Sequence, residues 1–201
     1  ILLGLRLAGD GQAGSSMMLY ILIGVDMDGN VHVLSVSIGQ VGDAAALDEI
    51  AAYLAERSLP PLSLALIDGL GDAGDAYVSA FAECFPEAQV LATDNFWIVS
   101  MREQIDASDW DALIDGLQSV YGAVTAEAMQ TAAARFTERW QAKYPDVTER
   151  LNGQLADTDS LLAASEAMRD GGVLYGELVD CLTQLIDELD QSTTGGESNA
   201  A

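Results

Sequence analysis

The chain reads as an α/β protein in which a mixed sheet, with elements in the order β-β-β-α-β-α-β, is followed by a helical C-terminal half. Three observations predict this. Short apolar runs separated by Gly, Ser and Asp fill the first third of the sequence. The continuous apolar run Leu62 to Ile67 is then followed by a helical pattern and a further short strand, as in parallel pairing across a crossover. After residue 95 the apolar period becomes helical and stays so to about residue 190. These shifts predict an α/β core over 1–95, a helical part over 96–190 packed on that core, and a flexible tail over 191–201, where alanine is the only apolar residue type.

Each element has a local cause. Ile1 to Leu7 is a short apolar strand, and Met18 to Val25 and Val31 to Ile38 flank Asp26-Met27-Asp28-Gly29-Asn30, whose Asp-Gly step is a hairpin signal. Asp43 is placed to cap a helix with the stripe Leu47, Ile50, Ala51 and Leu54, ending near Arg57 before Pro60-Pro61. The run Leu62 to Ile67 predicts a buried strand, followed by a Gly/Asp turn, a helix over about 75–84 capped by Asp72 or Asp75, and a strand over Ala88 to Ala92. Further on, Ser108 to Asp111 reads as a capping box ahead of Leu113, Leu117 and Val120. Thr125 caps a helix with Ala128, Ala132, Phe136, Trp140 and Tyr144, stopped by Pro145. Three more helical stretches follow, over about 146–156, 159–169 and 173–190.

Composition narrows the function. Half of the 201 residues are apolar, which supplies a core and excludes a long disordered chain. Against 8 Lys and Arg stand 32 Asp and Glu, a net charge of −24, and the single lysine is Lys143. Such a surface repels phosphate and disfavours unaided binding of nucleic acid, although high salt would screen the repulsion. Met17 to Val25, the longest apolar run, is too short to span a bilayer, so no membrane partner is expected. The sequence starts at Ile1 without a basic leader and reads as a piece of a longer chain. Cys84 and Cys181 lie far apart without a CxxC pattern, which points to neither zinc nor a disulfide framework and makes the cytoplasm the expected compartment.

Two features carry chemistry. Gly69-Leu70-Gly71-Asp72-Ala73-Gly74 is a GxGxxG between a strand and a helix, and Asp94 lies where an acid reaching a ribose hydroxyl would stand. A dinucleotide site needs favourable backbone N–H groups, however, and Asp68 and Asp72 place two negative charges there. The second feature is Asp68, a carboxylate at the C-terminal end of a central strand, where ligand and metal sites of α/β sheets gather. Elsewhere His32 reads as an outward strand residue, Trp97, Trp110 and Trp140 as packing residues, and the acids from Asp106 to Asp115 as a solvated helix start.

The order of elements, with Ile23 to Ser37, Leu66-Ile67-Asp68-Gly69, Ala80 to Val90 and Tyr121 to Pro145 (ending Trp140-Gln-Ala-Lys-Tyr-Pro145), resembles the catalytic region of Mutator-type bacterial insertion-sequence transposases. The resemblance covers residues 1–150 well and implies a ribonuclease-H-like fold, DNA strand cleavage and transfer, DNA as partner, possible self-association and a prokaryotic cytoplasm. It also implies three acids holding Mg²⁺ for phosphoryl transfer. Of these, Asp68 matches the second. The first is missing, because Leu3 precedes Gly4 where the family pattern has Asp, and the family's Cys-x-x-His is absent from Ala92 to Trp97. For the third, Tyr175 to Leu182 places Asp180, or less well Glu177, near the slot, with Glu197 a weaker candidate.

The resemblance thus implies a fragmentary, degenerate transposase domain, with Asp68 and Asp180 as metal ligands and Mg²⁺ as the cofactor if the chain is active. A helical half that folds back would bring Asp180 or Glu177 to Asp68, and divalent metal would then stabilise the chain. The competing reading is a non-catalytic acidic interaction module on the same fold; a dinucleotide-binding domain through Gly69, Gly71 and Gly74 comes third.

Overall fold

A computed structural model describes residues 1–6, 17–26, 28, 30–40, 50, 53–54, 56, 62–71, 74–170, 172 and 174–195. It divides into two compact units, Ile1–Ser100 with Asp170–Gly172, and Met101–Arg169 with Val173–Ala201. The boundary falls within a 3-10 helix, Trp97–Gln104.

The first unit is built on a five-stranded mixed sheet. Its strands are β1 (Leu2–Arg6), β2 (Met17–Val25), β3 (Val31–Gln40), β4 (Leu64–Asp68) and β5 (Gln89–Thr93), in the order β3-β2-β1-β4-β5. β1 runs antiparallel to β2 and β2 to β3, whereas β1 is parallel to β4 and β4 to β5. The sequence expectation that the first strand lies beside the run Leu62 to Ile67 is met, with Leu2 opposite Ile67 and Leu3 opposite Asp68. The crossover from β4 to β5 is α1 (Gly74–Cys84), which buries Gly74, Tyr77 and Phe81 along one stripe. Leu2, Met18, Tyr20, Leu22, Ala65 and Ile67 meet that stripe in one apolar core, where the Tyr20 and Tyr77 rings stand 5.9 Å apart. Ile50 and Leu54 join the same core as helical residues. The rest of the helix expected over 43–57, its Asp43 cap included, lies outside the described residues.

A side chain, Asp26, helps to close the β2–β3 hairpin. Asp26 Oδ1 accepts the N–H groups of Asp28 at 3.0 Å and Asn30 at 2.9 Å, and the Asn30 amide donates to Oδ2 at 2.9 Å. These donors stabilise the ionised form and hold the Asp26 carboxyl far below its usual range. Gly29 itself lies outside the described residues.

The second unit is helical: α2 (Ala107–Tyr121), α3 (Ala126–Trp140), α4 (Pro145–Gln154), α5 (Thr158–Asp170) and α6 (Tyr175–Gly195). α2 buries Trp110, Leu113, Ile114, Leu117, Val120 and Tyr121, a helical stripe read correctly from the sequence. Its start differs from the capping-box expectation. Asp106 occupies the cap without a side-chain bond, and Ser108 lies inside the helix. The Tyr144 hydroxyl instead accepts the Asp106 N–H at 3.1 Å, a contact 38 residues away that no local pattern shows. Thr125 does cap α3, accepting the Ala128 N–H at 3.1 Å. The buried stripe there is Met129, Ala133, Phe136 and Trp140, one residue round from the expected Ala128 and Ala132. Larger Met129 takes the core position and small Ala128 is left outside. Pro145 does not stop α3, which ends at Trp140; it opens α4, where its missing N–H costs nothing. Likewise α1 begins at Gly74, so Asp75 sits in the first turn and is not the cap.

Three contacts tie these helices together. The rings of Tyr121 and Tyr175 lie 4.4 Å apart, Gln118 accepts the Gly176 N–H at 2.6 Å, and Arg169 donates to the Ala123 carbonyl at 2.9 Å. Since Thr125 satisfies one otherwise unbonded N–H of α3, Thr125→Ala is expected to cost about 1 kcal/mol, read as a lower midpoint in thermal unfolding.

Candidate active site around Asp68

Register sets the surroundings of Asp68. Val36 of β3 faces Ile21 of β2, Ile21 faces Leu3 of β1, Leu3 faces Asp68 of β4, and Asp68 faces Thr93 of β5. Opposed residues share a face of the sheet, so the carboxylate stands in a row that is apolar on its β1 side. Leu3 is 1% exposed and Asp68 0%.

Three donors from one short segment meet the carboxylate. The Thr93 hydroxyl and the Asn95 N–H both donate to Oδ2 at 2.6 Å, and the Phe96 N–H reaches Oδ1 at 3.3 Å. Burial outweighs these bonds and pushes the carboxyl up to about 6, with Asp94 adding to the rise. Asp94, considered above as a ribose-binding acid, therefore acts here as a neighbouring charge. Thr93, Asn95 and Phe96 were not singled out in the sequence. The pairing of β4 with β5 is the signal that would have found Thr93, because it sets the two strand ends side by side.

A divalent ion needs several anionic oxygens with free lone pairs. The oxygens of Asp68 already accept three hydrogen bonds, and Leu3, opposite it on β1, offers no oxygen. Among the described residues, no group of three or more His, Cys, Asp or Glu is arranged to hold a metal ion. The residues around Asp68 therefore do not suit Mg²⁺.

Asp180 and Glu177 lie exposed on α6 in the second unit. Partial burial raises the Asp180 carboxyl, and the like charges of Asp111, Asp115 and Glu177 raise it further. In the GxGxxG segment, Gly69 has a φ of 73° and Gly71 of 52°. A Cβ on Gly69 would lie 2.4 Å from the Gly4 carbonyl oxygen, so the approach of β1 requires this glycine. Asp72 and Ala73 lie outside the described residues.

The remaining candidates resolve into packing. His32 is exposed, its Nε2 3.0 Å from Asp26 Oδ2. Trp97, Trp110 and Trp140 are buried, with the Arg102 guanidinium 4.7 Å over Trp110 and that of Arg139 4.6 Å over Trp140. Lys143 bridges Asp106 at 2.7 Å and Asp109, and the Tyr144 hydroxyl donates to Asp109 at 2.8 Å. The stretch Trp140 to Pro145 thus ties the end of α3 to the start of α2, and two acids read as solvated are in fact paired.

Two outcomes follow for the acids. The folded state binds the Asp68 proton more tightly than the unfolded chain, whose carboxyl titrates near 3.8. Its contribution to stability is present below 3.8 and falls by about 3 kcal/mol as pH rises through about 6. In Asp68→Asn the carbonyl keeps the two short bonds, so the variant should lack this pH dependence relative to the parent in denaturant unfolding. Asp68→Ala leaves the donors unmet and should cost roughly 2–4 kcal/mol. Asp180→Asn, which removes a like charge, should slightly raise the thermal midpoint at pH 7 and lose that gain in ~1 M salt.

No curated protein shows significant similarity to the chain. The model of the family described as Transposase, Mutator family matches residues 2–170, a span that takes in all five strands, Asp68 and α1 to α5. By that match the chain belongs to the Mutator family of transposases.

Proposed function

We propose that the chain is the ribonuclease-H-like catalytic region of a Mutator-type transposase, of the class that cleaves and joins DNA, with an acid set too incomplete to act. The observation that carries this reading is the register of β1 on β4, with Leu3 opposite Asp68. In the resembled pattern two acids stand on these neighbouring strands. Here one is a buried leucine and the other is hydrogen-bonded within its own unit.

Asp68 is the retained acid, and Asp180, or less closely Glu177, stands in the sequence near the place of the third acid of the resembled pattern. The strand order β3-β2-β1-β4-β5, with only the β1–β4–β5 part parallel, supports the ribonuclease-H-like reading over a dinucleotide fold, which needs a longer parallel run. The chain works in a prokaryotic cytoplasm with DNA or a DNA-bound relative as its partner, and without metal at Asp68.

One observation favours a second reading, an acidic interaction module on the same fold. Arg102, Arg139, Lys143 and Arg169, four of the 8 cations, are engaged by tryptophan rings, carboxylates or a carbonyl. Held against the chain's own residues, these four are less free to follow a phosphate backbone, and the 8 cations stand against 32 acids that repel it.

Incubation with supercoiled plasmid in Mg²⁺ or Mn²⁺ is expected to give no nicking or joining; metal-dependent nicking that disappears in Asp68→Ala would overturn the proposal. A second arm tests the slot. Leu3→Asp sets two carboxylates side by side in a buried row, so it should destabilise the chain without metal and regain thermal midpoint with Mn²⁺. Leu3→Asn should show no such recovery. Equal responses of the two variants would mean that Leu3 does not occupy an acid slot.

A further inference from the structure

β3 is an outer strand of the sheet, and among the described residues its far side pairs with no strand. It is long, at ten residues, and none of them is Asp, Glu, Lys, Arg or Pro. Edge strands are usually protected by charge, proline, a bulge or a cover. Among the described residues the device present is a bulge: Leu34 is the extra residue between the pairs Leu22–Ser35 and Ile23–Val33, and the Tyr53 hydroxyl donates to its carbonyl. Beyond the bulge the strand carries exposed apolar side chains. Val36 is 36% and Ile38 61% exposed, and both lie on the face of Ile21 and Leu19.

We propose that residues 35–39 of β3 are the site at which two copies of this chain pair, antiparallel and edge to edge. A two-fold axis at Ser37 sets Val36 of one copy opposite Ile38 of the other, so each apolar side chain covers its counterpart. Charge argues for a second copy as the occupant. With a net charge of −24, most pairs of surfaces on two copies oppose carboxylate to carboxylate, whereas this segment brings none to the seam. A basic partner, conversely, finds no acid here to bind. Five residues a side give roughly four to six main-chain hydrogen bonds, so the association is weak and strengthens with salt as the distant repulsion is screened.

Sedimentation equilibrium of the whole chain from ~1 to ~300 µM, in ~0.1 and ~1 M salt, tests this, weak association falling in the micromolar to millimolar range. The expected result is a dimer favoured by concentration and salt, with slowed amide exchange at residues 35–39. Ile38→Lys should weaken dimerisation about tenfold or more by placing like charges near the axis. Val36→Lys serves if that variant fails to fold. Leu174→Lys, at another exposed apolar residue (51%), should leave dimerisation unchanged. A monomer under every condition overturns the proposal. So does a dimer indifferent to both β3 variants, or one that forms without protecting the β3 amides.

Discussion

A carboxylate buried in an apolar sheet costs several kcal/mol unless donors occupy its lone pairs, and the first unit is arranged around meeting that condition at Asp68. Thr93, Asn95 and Phe96 must all reach one side chain, which fixes the end of β5 and the residues after it against the end of β4. The residues that continue from this point, Phe96 to Val99, are buried as well, so the polar tie also seats an apolar segment. On the other side β1 comes so close that only glycine fits at position 69, and Leu3 continues the row with an apolar side chain. One buried acid thus coordinates three strands.

Electrostatics shape the second unit differently. The acid excess cannot be neutralised with so few cations, and several of those present are held against the unit's own side chains. Lys143 answers two acids at the start of α2 and lies 5.3 Å from the centre of the Tyr144 ring; Arg102 and Arg139 cover the faces of buried tryptophans. At Asp180, partial burial and then the like charges of Asp111, Asp115 and Glu177 make the carboxyl hold its proton more tightly.

Much of the fold was legible because it rests on periodicity. All five strands and the stripe of α2 follow from apolar runs, and Thr125 announced its cap through local chemistry. Asp68 was legible as a carboxylate at a strand end, and Leu3 before Gly4 as a departure from the resembled pattern. The donors to Asp68 were not, because Thr93 matters only once β4 and β5 are known to pair. Nor was the start of α2, where Ser108 and Asp111 imitate a capping box while Tyr144 holds the turn from far along the chain. Contacts set by tertiary packing leave little trace in local spacing.

The bulge at Leu34 bears on how relatives of this chain are to be aligned. Because one residue is taken up there without a partner, Val33 and Val36 share a face although they stand an odd number of residues apart. The two halves of the hairpin are therefore out of phase in sequence while in phase in space. A relative without the bulge would align correctly only with a one-residue gap at position 34, and a gapless alignment would exchange inner for outer positions from Val31 to Val33.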